Sequence, residues 1–559
     1  MSDQLDTPRP KTRGWGSAVA LGAVLVAVAG YLSAATGAMG GRFDDAYMFV
    51  RYADHFLDGH GHAWNPGGEQ TYGSTSLLYF ALVTLGKAML PLADTTLLRC
   101  LSTGTGLAAV VMLAITCARF SRSGALRSRY LLWCGLVLPA ILLSPVFTYH
   151  AKTGMGTMLG VLCNTVLIFF TLRLLSIGTR RAVIGVVVAA YFTYLARPDN
   201  GVCALLFPSL AIVLLGSASN RWRLLLTFLG GMAAVLFIDA GWKMAVFGVP
   251  FPLAAYAKAQ GFYGDYRGAH MWNPMLYLLQ FFGLVMPFLC TMIVFTSRRR
   301  LRVLVPFLIP LAITLAYYFT VTLIMGYSAR FSLPFLPFVV VAAARLLDLH
   351  FVGREEHAAS SSTRFLIRGM VVLALLASWP QIIATVPRLY QERFLPVPSQ
   401  DEPDLPYAIQ ATRSLRSMDY WPAVDAVADL AVTAPEGALF SMSEYGWIGA
   451  VAPQLAILDP LGLHDADVAR RGFSAQRFLD QKPDLIWFPH PDYRSIVIAI
   501  LDADTFWNEY DFYPEVFRFG VALRRTGPHA EELRKSFGEA WNKRYKARDM
   551  QSYRARRRQ

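Results

Sequence analysis

The chain has 559 residues, of which 55% are hydrophobic and 16% charged, and its mean hydropathy is +0.38. This composition excludes an ordinary soluble globular protein, which would carry more charge at this length. The net charge of +14 does not indicate nucleic acid binding, because the basic residues lie mostly in short loops between apolar runs. In a membrane protein such residues set the orientation of the helices.

Apolar runs of about 17–25 residues recur between positions 17 and 387, and this is the length that crosses a hydrocarbon core of ~30 Å. The first run lacks a small-residue cleavage site, so we expect it to remain as a membrane anchor. Residues 388–559 are more polar and hold no run of spanning length. The sequence therefore predicts an α-helical polytopic membrane domain over residues 1–387, with about 11 transmembrane helices, and a soluble α/β domain over residues 388–559.

One apolar segment, residues 74–92, is not expected to cross the membrane. Lys87 interrupts it and Pro91 ends it, and a crossing here would place the four arginines between residues 119 and 129 in an outer loop. If the segment instead lies along or dips into the outer surface as a juxtamembrane element, the strongly basic loops all become cytoplasmic, as the positive-inside rule requires. The first outer loop then covers residues 40–94, and the C-terminal domain lies outside the plasma membrane.

The first outer loop contains two adjacent carboxylates, Asp44 and Asp45. Charged groups beside a membrane helix are costly to place near lipid, so they indicate a function. A carboxylate here could act as a general base that takes a proton from an acceptor hydroxyl, because adjacent like charges tend to raise one pKa. The alternative is a helix cap or a solvated loop carboxylate, since Asp is common at helix N-termini.

The other predicted outer loops each carry an isolated cation at a helix end. These residues are Lys152, Arg197 with nearby Asp199, Lys258 and Arg330. Several cations on the face that carries the aspartates are typical of a site for an anionic phosphate group. The alternative for each one alone is that its side chain extends to lipid headgroups, as Lys and Arg often do at helix ends.

His60 and His62 flank a glycine in the same loop, but no third ligand stands at a recognisable spacing. We therefore expect histidines in a turn and no metal site. No cofactor is predicted. Two adjacent aspartates could hold a divalent cation, yet two carboxylates are too few ligands to predict one.

Six sequence blocks, in a fixed order, carry a family resemblance. They are Asp44-Asp-Ala-Tyr-Met-Phe-Val-Arg-Tyr-Ala53, Gly59-His-Gly61 with Trp64-Asn-Pro66, Leu195-Ala-Arg-Pro-Asp199, Gly248-Val-Pro-Phe-Pro-Leu-Ala-Ala-Tyr-Ala-Lys258, Arg330-Phe-Ser-Leu-Pro334 and Leu458-Asp-Pro-Leu-Gly-Leu-His-Asp465. In this order they resemble the membrane-embedded GT-C glycosyltransferases, specifically the branch of the actinobacterial terminal β-1,2-arabinofuranosyltransferase. Two blocks depart from the family pattern: Thr153-Gly-Met-Gly-Thr157 lacks a glutamate, and Pro252-Leu-Ala254 replaces Pro-Asn-Thr.

The resemblance implies a cell-envelope glycosyltransferase that uses a polyprenyl-phosphate sugar, with arabinofuranose from decaprenyl phosphate favoured. The acceptor, a polysaccharide, glycolipid or protein, would enter from the outer side of the bilayer. Within the matching blocks, Asp44 is the expected base and Asp45 a second carboxylate or an orienting group. The residues expected to bind substrate, mainly the donor phosphate, are Lys258, Arg197, Arg330, Asp199, Tyr256 and His464.

Two other functions stay open on the sequence. One is transfer of another sugar, such as mannose or aminoarabinose, by the same kind of enzyme. The other is a transporter or flippase for a lipid-linked sugar. Transporters often contain internal repeats and buried charges near the membrane midplane, whereas this chain shows no repeat and gathers its polar residues at one face. The pattern favours an enzyme.

Overall fold

The computed structural model describes residues 14–36, 43–121, 130–259, 272–297, 300–320, 326–352, 409–410, 418–490, 493–545 and 549–557. Up to residue 352 these ranges are mostly helical, because apolar segments away from water must satisfy their backbone hydrogen bonds internally. The helices are α1 (Gly14–Thr36), α2 (Asp44–Leu57), α3 (Leu77–Met89), α4 (Asp94–Arg119), α5 (Tyr130–Leu142), α6 (Pro145–Lys152), α7 (Thr157–Ile177), α8 (Arg180–Ala196), α9 (Gly201–Leu215), α10 (Arg221–Phe247), α11 (Leu253–Ala259), α12 (Trp272–Phe295), α13 (Leu301–Tyr317) and α14 (Leu336–Val352).

Six helical segments within the described ranges are long and apolar enough to cross a membrane. They are Asp94–Arg119, Thr157–Ile177, Pro198–Leu215, Arg221–Phe247, Met275–Ile293 and Leu333–His350. On α10 the apolar side chains of Phe237 and Ile238 are 82% and 69% exposed, which suits contact with lipid better than contact with water. These segments support a polytopic membrane protein, while the count of about 11 spans stays a prediction.

Helix α3 falls in the segment that was expected to lie along the membrane surface. Its 13 residues extend about 20 Å at the usual helical rise, less than the ~30 Å hydrocarbon core. Lys87 in its last turn forms ion pairs with Asp54 at 2.8 Å and Asp94 at 2.5 Å. These pairs attach α3 to α2 and to the start of α4, and both observations agree with an element that does not cross.

The second part of the chain contains a mixed sheet flanked by helices. Its elements are β1 (Ile409–Gln410), α15 (Tyr420–Val432), β2 (Leu439–Ser441), α16 (Gly446–Val451), β3 (Ala456–Leu458), α17 (Ala466–Arg471), α18 (Ala475–Asp480), β4 (Leu485–Trp487), α19 (Arg494–Asp502), α20 (Asp504–Glu509), β5 (Tyr510–Tyr513), β6 (Val521–Arg524), α21 (Ala530–Tyr545) and β7 (Arg556–Arg557). The central sheet has the order β3-β2-β4-β6-β5. β2 is parallel to β3 and β4, while β6 is antiparallel to β4 and β5. The predicted domain boundary at residues 387 and 388 lies outside the described residues.

Helix α2 connects the two parts of the structure. Tyr52 of α2 and Trp64 of the following loop are buried in the core of the C-terminal domain. On another side of the helix, Tyr47 packs in a cluster with Tyr79 of α3 and Leu98 of α4. The aspartate pair at the start of α2 therefore lies where the helical part of the chain meets the C-terminal domain.

Candidate functional site

Asp44 is the first residue of α2, and the C-terminal domain binds its carboxylate. Oδ2 accepts a hydrogen bond from the N–H of Gly446 and Oδ1 accepts one from the N–H of Trp447, each at 2.8 Å. These residues begin α16, and the first N–H groups of a helix have no partner within it. Asp44 is only 7% exposed, so both of its carboxylate oxygens are engaged inside the protein.

Helices α2 and α16 approach so closely that position 446 requires glycine. A Cβ atom at Gly446 would lie 2.0 Å from the carbonyl oxygen of Asp44, and one at Gly449 would lie 2.8 Å from Cδ of Arg51. Both distances are shorter than side-chain carbons tolerate. The backbone of α16 therefore rests directly on α2.

Arg51, seven residues after Asp44, binds the other end of α16. Its Nη1 donates to the carbonyl oxygens of Gly449 at 3.0 Å and Ala452 at 3.2 Å, and its Nη2 donates to that of Leu455 at 2.6 Å. Its Nε donates to the carbonyl oxygen of Trp64 at 2.8 Å. Arg51 has no exposed surface, and burial lowers its pKa to about 9. The guanidinium thus satisfies carbonyl groups that the end of a helix leaves without partners.

Asp45 makes a different contact from its neighbour. Successive residues of an α-helix point about 100° apart, and Asp45 is directed to Arg330, whose Nη1 lies 3.0 Å from its Oδ2. The Asp45 side chain is 25% exposed and that of Arg330 is 13% exposed. The two aspartates that the sequence presented as one pair therefore have separate partners.

A strained turn places Arg330. Ser328 and Ala329, directly before it, have φ values of 52° and 61°, which non-glycine residues seldom adopt. The ring Nε2 of His150 lies 2.9 Å from the carbonyl oxygen of Ser328, and the N–H of Ala329 donates to Gln280 Oε1 at 3.1 Å. These contacts from α6 and α12 hold the turn in its unusual conformation.

Arg197 and Asp199 form a bidentate ion pair close to the same position. Arg197 Nε and Nη2 lie 3.0 Å and 2.5 Å from the two carboxylate oxygens of Asp199. The hydroxyl group of Tyr318 donates to Asp199 Oδ2 at 2.7 Å. The Phe331 ring lies 5.4 Å from the guanidinium of Arg197 and 5.7 Å from that of Arg330. One aromatic ring thus contacts both arginines that were predicted to bind a phosphate.

Lys258 completes this group of charges. It lies near the end of α11 with part of its side chain exposed, while burial of its ammonium group and the charge of Arg330 lower its pKa, against the opposing charges of Asp45 and Asp199. The structure therefore brings together the predicted residues from outer loop 1, the end of α8, α11 and the turn before Pro334. We call Asp45, Arg330, Arg197, Asp199 and Lys258 the charged cluster.

Glu444 is a residue of this region that the sequence analysis missed. It follows β2 and precedes Gly446 by two positions, and it is 4% exposed. Its carboxylate accepts hydrogen bonds from the hydroxyl groups of Tyr420 and, at 3.3 Å, Ser443. A polar residue and a glycine just after the carboxyl end of a parallel strand are a usual place for a functional group, and this signal could have identified it.

Burial and neighbouring charge shift the protonation of these acids. Burial, and then the negative charge of Glu444, raise the pKa of Asp44 to about 7, although the hydrogen bonds from Trp447 and Gly446 act in the opposite direction. Burial also raises the pKa of Glu444, while the charge of His490 lowers it. The carboxylates between α2 and α16 therefore hold protons more tightly than exposed carboxylates do.

Two predicted substrate-binding residues lie in other surroundings. Tyr256 packs against an apolar cluster that includes Tyr72 and Phe247. His464 is 4% exposed, stacks on Trp64 with ring centroids 3.7 Å apart, and places its Nδ1 2.8 Å from the Tyr52 hydroxyl. Burial holds the pKa of His464 well below its usual value. These contacts join the first loop to the C-terminal domain and favour a packing role for both residues.

The loop histidine His62 uses both ring nitrogens within its own loop. Nδ1 lies 2.6 Å from the carbonyl oxygen of Thr71 and Nε2 lies 2.8 Å from Ser74 Oγ. Among the described residues, no three His, Cys, Asp or Glu side chains are grouped in a way that could hold a metal ion.

Neither a protein-family model nor a curated protein sequence matches the chain. Solved structures do resemble it. ArnT from Cupriavidus metallidurans, in the apo state, matches with a TM-score of 0.52 and 14% identity, over 90% of this chain and 98% of that one. The oligosaccharyltransferase of Archaeoglobus fulgidus, also in the apo form, matches with a TM-score of 0.50 and 13% identity, over 95% of this chain and 78% of that one. The chain therefore shares the fold of these proteins, and the likeness supports the GT-C membrane fold that the sequence predicted.

Proposed function

We propose that the protein is a membrane glycosyltransferase that transfers a sugar, with arabinofuranose favoured, from a polyprenyl-phosphate donor to an acceptor on the outer face of the plasma membrane. The acceptor hydroxyl oxygen attacks the anomeric carbon, and the bond between that carbon and the phosphate oxygen breaks. The hydroxyl proton passes to a carboxylate of the Asp44–Asp45 pair, and polyprenyl phosphate leaves. The acceptor class is a polysaccharide, glycolipid or protein.

The charged cluster carries this proposal. A leaving phosphate gains negative charge as the sugar departs, and cations fixed beside it stabilise that charge most when it develops. The side chains of Arg197 and Arg330 are only 14% and 13% exposed and are bound to carboxylates. They are therefore fixed in the protein and do not extend toward lipid headgroups, which was the alternative explanation for each cation alone.

The fold adds support of a coarser kind. One protein with this fold is by its name an oligosaccharyltransferase, and the helices provide a membrane setting that suits a lipid-linked donor. The choice of arabinofuranose rests on the sequence blocks that resemble the terminal arabinofuranosyltransferase branch. The position of the active site on the outer face rests on the distribution of basic loops.

The test is to incubate the purified full-length protein with polyprenyl phosphates that carry arabinofuranose, mannose or aminoarabinose, together with an arabinan acceptor. We expect arabinofuranose to be transferred with release of polyprenyl phosphate. If another sugar is transferred instead, arabinofuranose is not the donor sugar, but the protein is still a polyprenyl-phosphate-dependent glycosyltransferase. A protein that moves the donor across a liposome membrane without releasing polyprenyl phosphate would be a flippase, and that result would overturn the proposal.

A further inference from the structure

We infer that Asp44 and Arg51 form a clamp that fixes α16 of the C-terminal domain on α2, and that Asp45 is the aspartate that takes the acceptor proton. The second half of this inference rests on the proposed function, whereas the clamp itself does not. Asp44 is then a positioning residue, and the C-terminal domain forms one wall of the reaction site.

The spacing of the two clamp residues fits the helix that they hold. Asp44 and Arg51 are seven residues apart, so they lie on one face of α2 about 10 Å from each other. Helix α16 has six residues and extends about 9 Å. The carboxylate meets the N–H groups at its first turn, and the guanidinium meets the carbonyl groups at and beyond its last turn. The carboxylate oxygens accept where the helix leaves N–H groups without partners, and the guanidinium donates where it leaves carbonyl groups without partners.

The same contacts make Asp44 a poor general base. A base needs a carboxylate oxygen within hydrogen-bond reach of the hydroxyl that it deprotonates. To reach Asp44, an acceptor would have to use the second lone pair of an oxygen that already accepts an N–H from Gly446 or Trp447, in a residue that is only 7% exposed. Asp45 faces the charged cluster instead, and a quarter of its side chain is exposed. An acceptor can approach Asp45 while the clamp stays closed.

Closure of the clamp also sets the position of Glu444. This residue lies two positions before Gly446, so the position of its carboxylate depends on the position of the first turn of α16. Its negative charge acts on Asp44, and the charge of Asp45 acts on Glu444 in turn. The acid that the C-terminal domain contributes is therefore fixed beside the aspartate pair by the clamp.

The test compares three matched Asp→Asn variants, two in α2 and one just after it, in the full-length protein in nanodiscs. Asp44→Asn removes a clamp residue, Asp45→Asn removes the inferred base, and Asp58→Asn changes an exposed aspartate after the far end of α2. One readout is hydrogen–deuterium exchange of peptides within residues 439–458, which needs no substrate. The other is transfer from decaprenyl-phosphate arabinofuranose, with kcat, acceptor KM and the pH profile recorded separately.

For Asp44→Asn we expect exchange in this segment to rise about 10- to 100-fold, the factor that a lost hydrogen bond to a charged group produces. The acceptor KM should rise, and the residual kcat should keep the pH dependence of the unmodified protein. For Asp45→Asn we expect unchanged exchange and a loss of kcat of about 10²- to 10⁴-fold, as for removal of a general base. Asp58→Asn should change neither readout.

The inference fails if Asp44→Asn exchanges normally but loses kcat and the acidic limb of the pH profile. That result would make Asp44 the base. Should Asp44→Asn fail to fold, Arg51→Lys tests the other end of the clamp, since lysine keeps the charge but lacks the planar fork of donors. Unchanged exchange in that variant would also count against the clamp. If the unmodified protein transfers no sugar, the proposed function fails, and the exchange readout still decides whether the clamp exists.

Discussion

Replacement of Gly446 by alanine tests the contact between α2 and α16 without changing any charge. Alanine is favoured over glycine within a helix by about 1 kcal/mol, so by helix propensity alone the substitution should stabilise α16. The structure predicts the reverse. The new Cβ would lie 2.0 Å from the carbonyl oxygen of Asp44, below the 3.0 Å that such contacts essentially never breach.

The size of the effect follows from the distance that the two helices must move. Relief of the clash requires a separation of about 1 Å, which stretches the two hydrogen bonds of Asp44 from 2.8 Å to about 3.8 Å, beyond the limit for a hydrogen bond. Loss of two bonds to a charged group costs about 3–6 kcal/mol. Set against the gain in helix propensity, the net cost is about 2–5 kcal/mol, or an increase in opening of at least about 30-fold.

The assay is hydrogen–deuterium exchange of the 439–458 segment in the full-length protein. Gly538→Ala in α21 is the control, because a Cβ atom at Gly538 would meet nothing within 4 Å. We expect faster exchange in Gly446→Ala and unchanged or slower exchange around residue 538 in the control. If Gly446→Ala leaves exchange of the segment unchanged, α16 is not packed on Asp44 in the way described, and the reasoning about the clamp fails with it.

Three further predictions concern charge. Arg330→Met should weaken donor binding about 10- to 150-fold, since charge-assisted hydrogen bonds contribute about 1.5–3 kcal/mol. The control is Arg180→Met, because Arg180 is exposed in a predicted cytoplasmic loop. Equal losses of donor affinity in both variants would contradict a phosphate role for Arg330. The pKa of Asp44 is raised to about 7 when α16 is packed on α2, so the packed state binds more protons between about pH 4 and 7 than the separated state. The packing of α16 on α2 should therefore weaken as the pH rises through this window. Exchange of the 439–458 segment, corrected for intrinsic rates, that is no faster at pH 8 than at pH 5 would refute this. Lys243 and Asp239 form a buried ion pair at 2.6 Å in α10, so Lys243→Met should cost about 3–5 kcal/mol of stability, while the double change to apolar residues should recover most of it; thermal unfolding in detergent measures both.

The sequence was informative where charge and order along the chain carry the signal. Among the described residues, the six helical segments of spanning length and the short helix α3 follow from apolar run length and the position of Lys87. Arg197, Arg330 and Lys258 were expected on one face from the orientation of the loops, and the structure does bring them close to Asp45.

The different partners of Asp44 and Asp45 could not be predicted from the sequence. Two neighbours on a helix point about 100° apart, and the partner of Asp44 comes from a segment about 400 residues further along. The strand end and the glycine beside Glu444 mark it as a candidate, but nothing near it in the chain indicates that it lies beside Asp44. His464 was chosen because its block matches a family motif, yet its neighbours Trp64 and Tyr52 enclose it.

The hydrogen bond between Gly446 and Asp44 joins residues 402 positions apart. At a synthesis rate of about 5–20 residues per second, roughly 20–80 s separate the appearance of the first partner on the ribosome from that of the second. During this interval Asp44 and Arg51 have no α16 to bind, and Glu444 has not yet been made. A chain that stops before residue 446 cannot complete the site even if every membrane helix is in place. Under the proposed function, a chain whose membrane helices have already folded therefore transfers no sugar until the C-terminal domain has packed on α2.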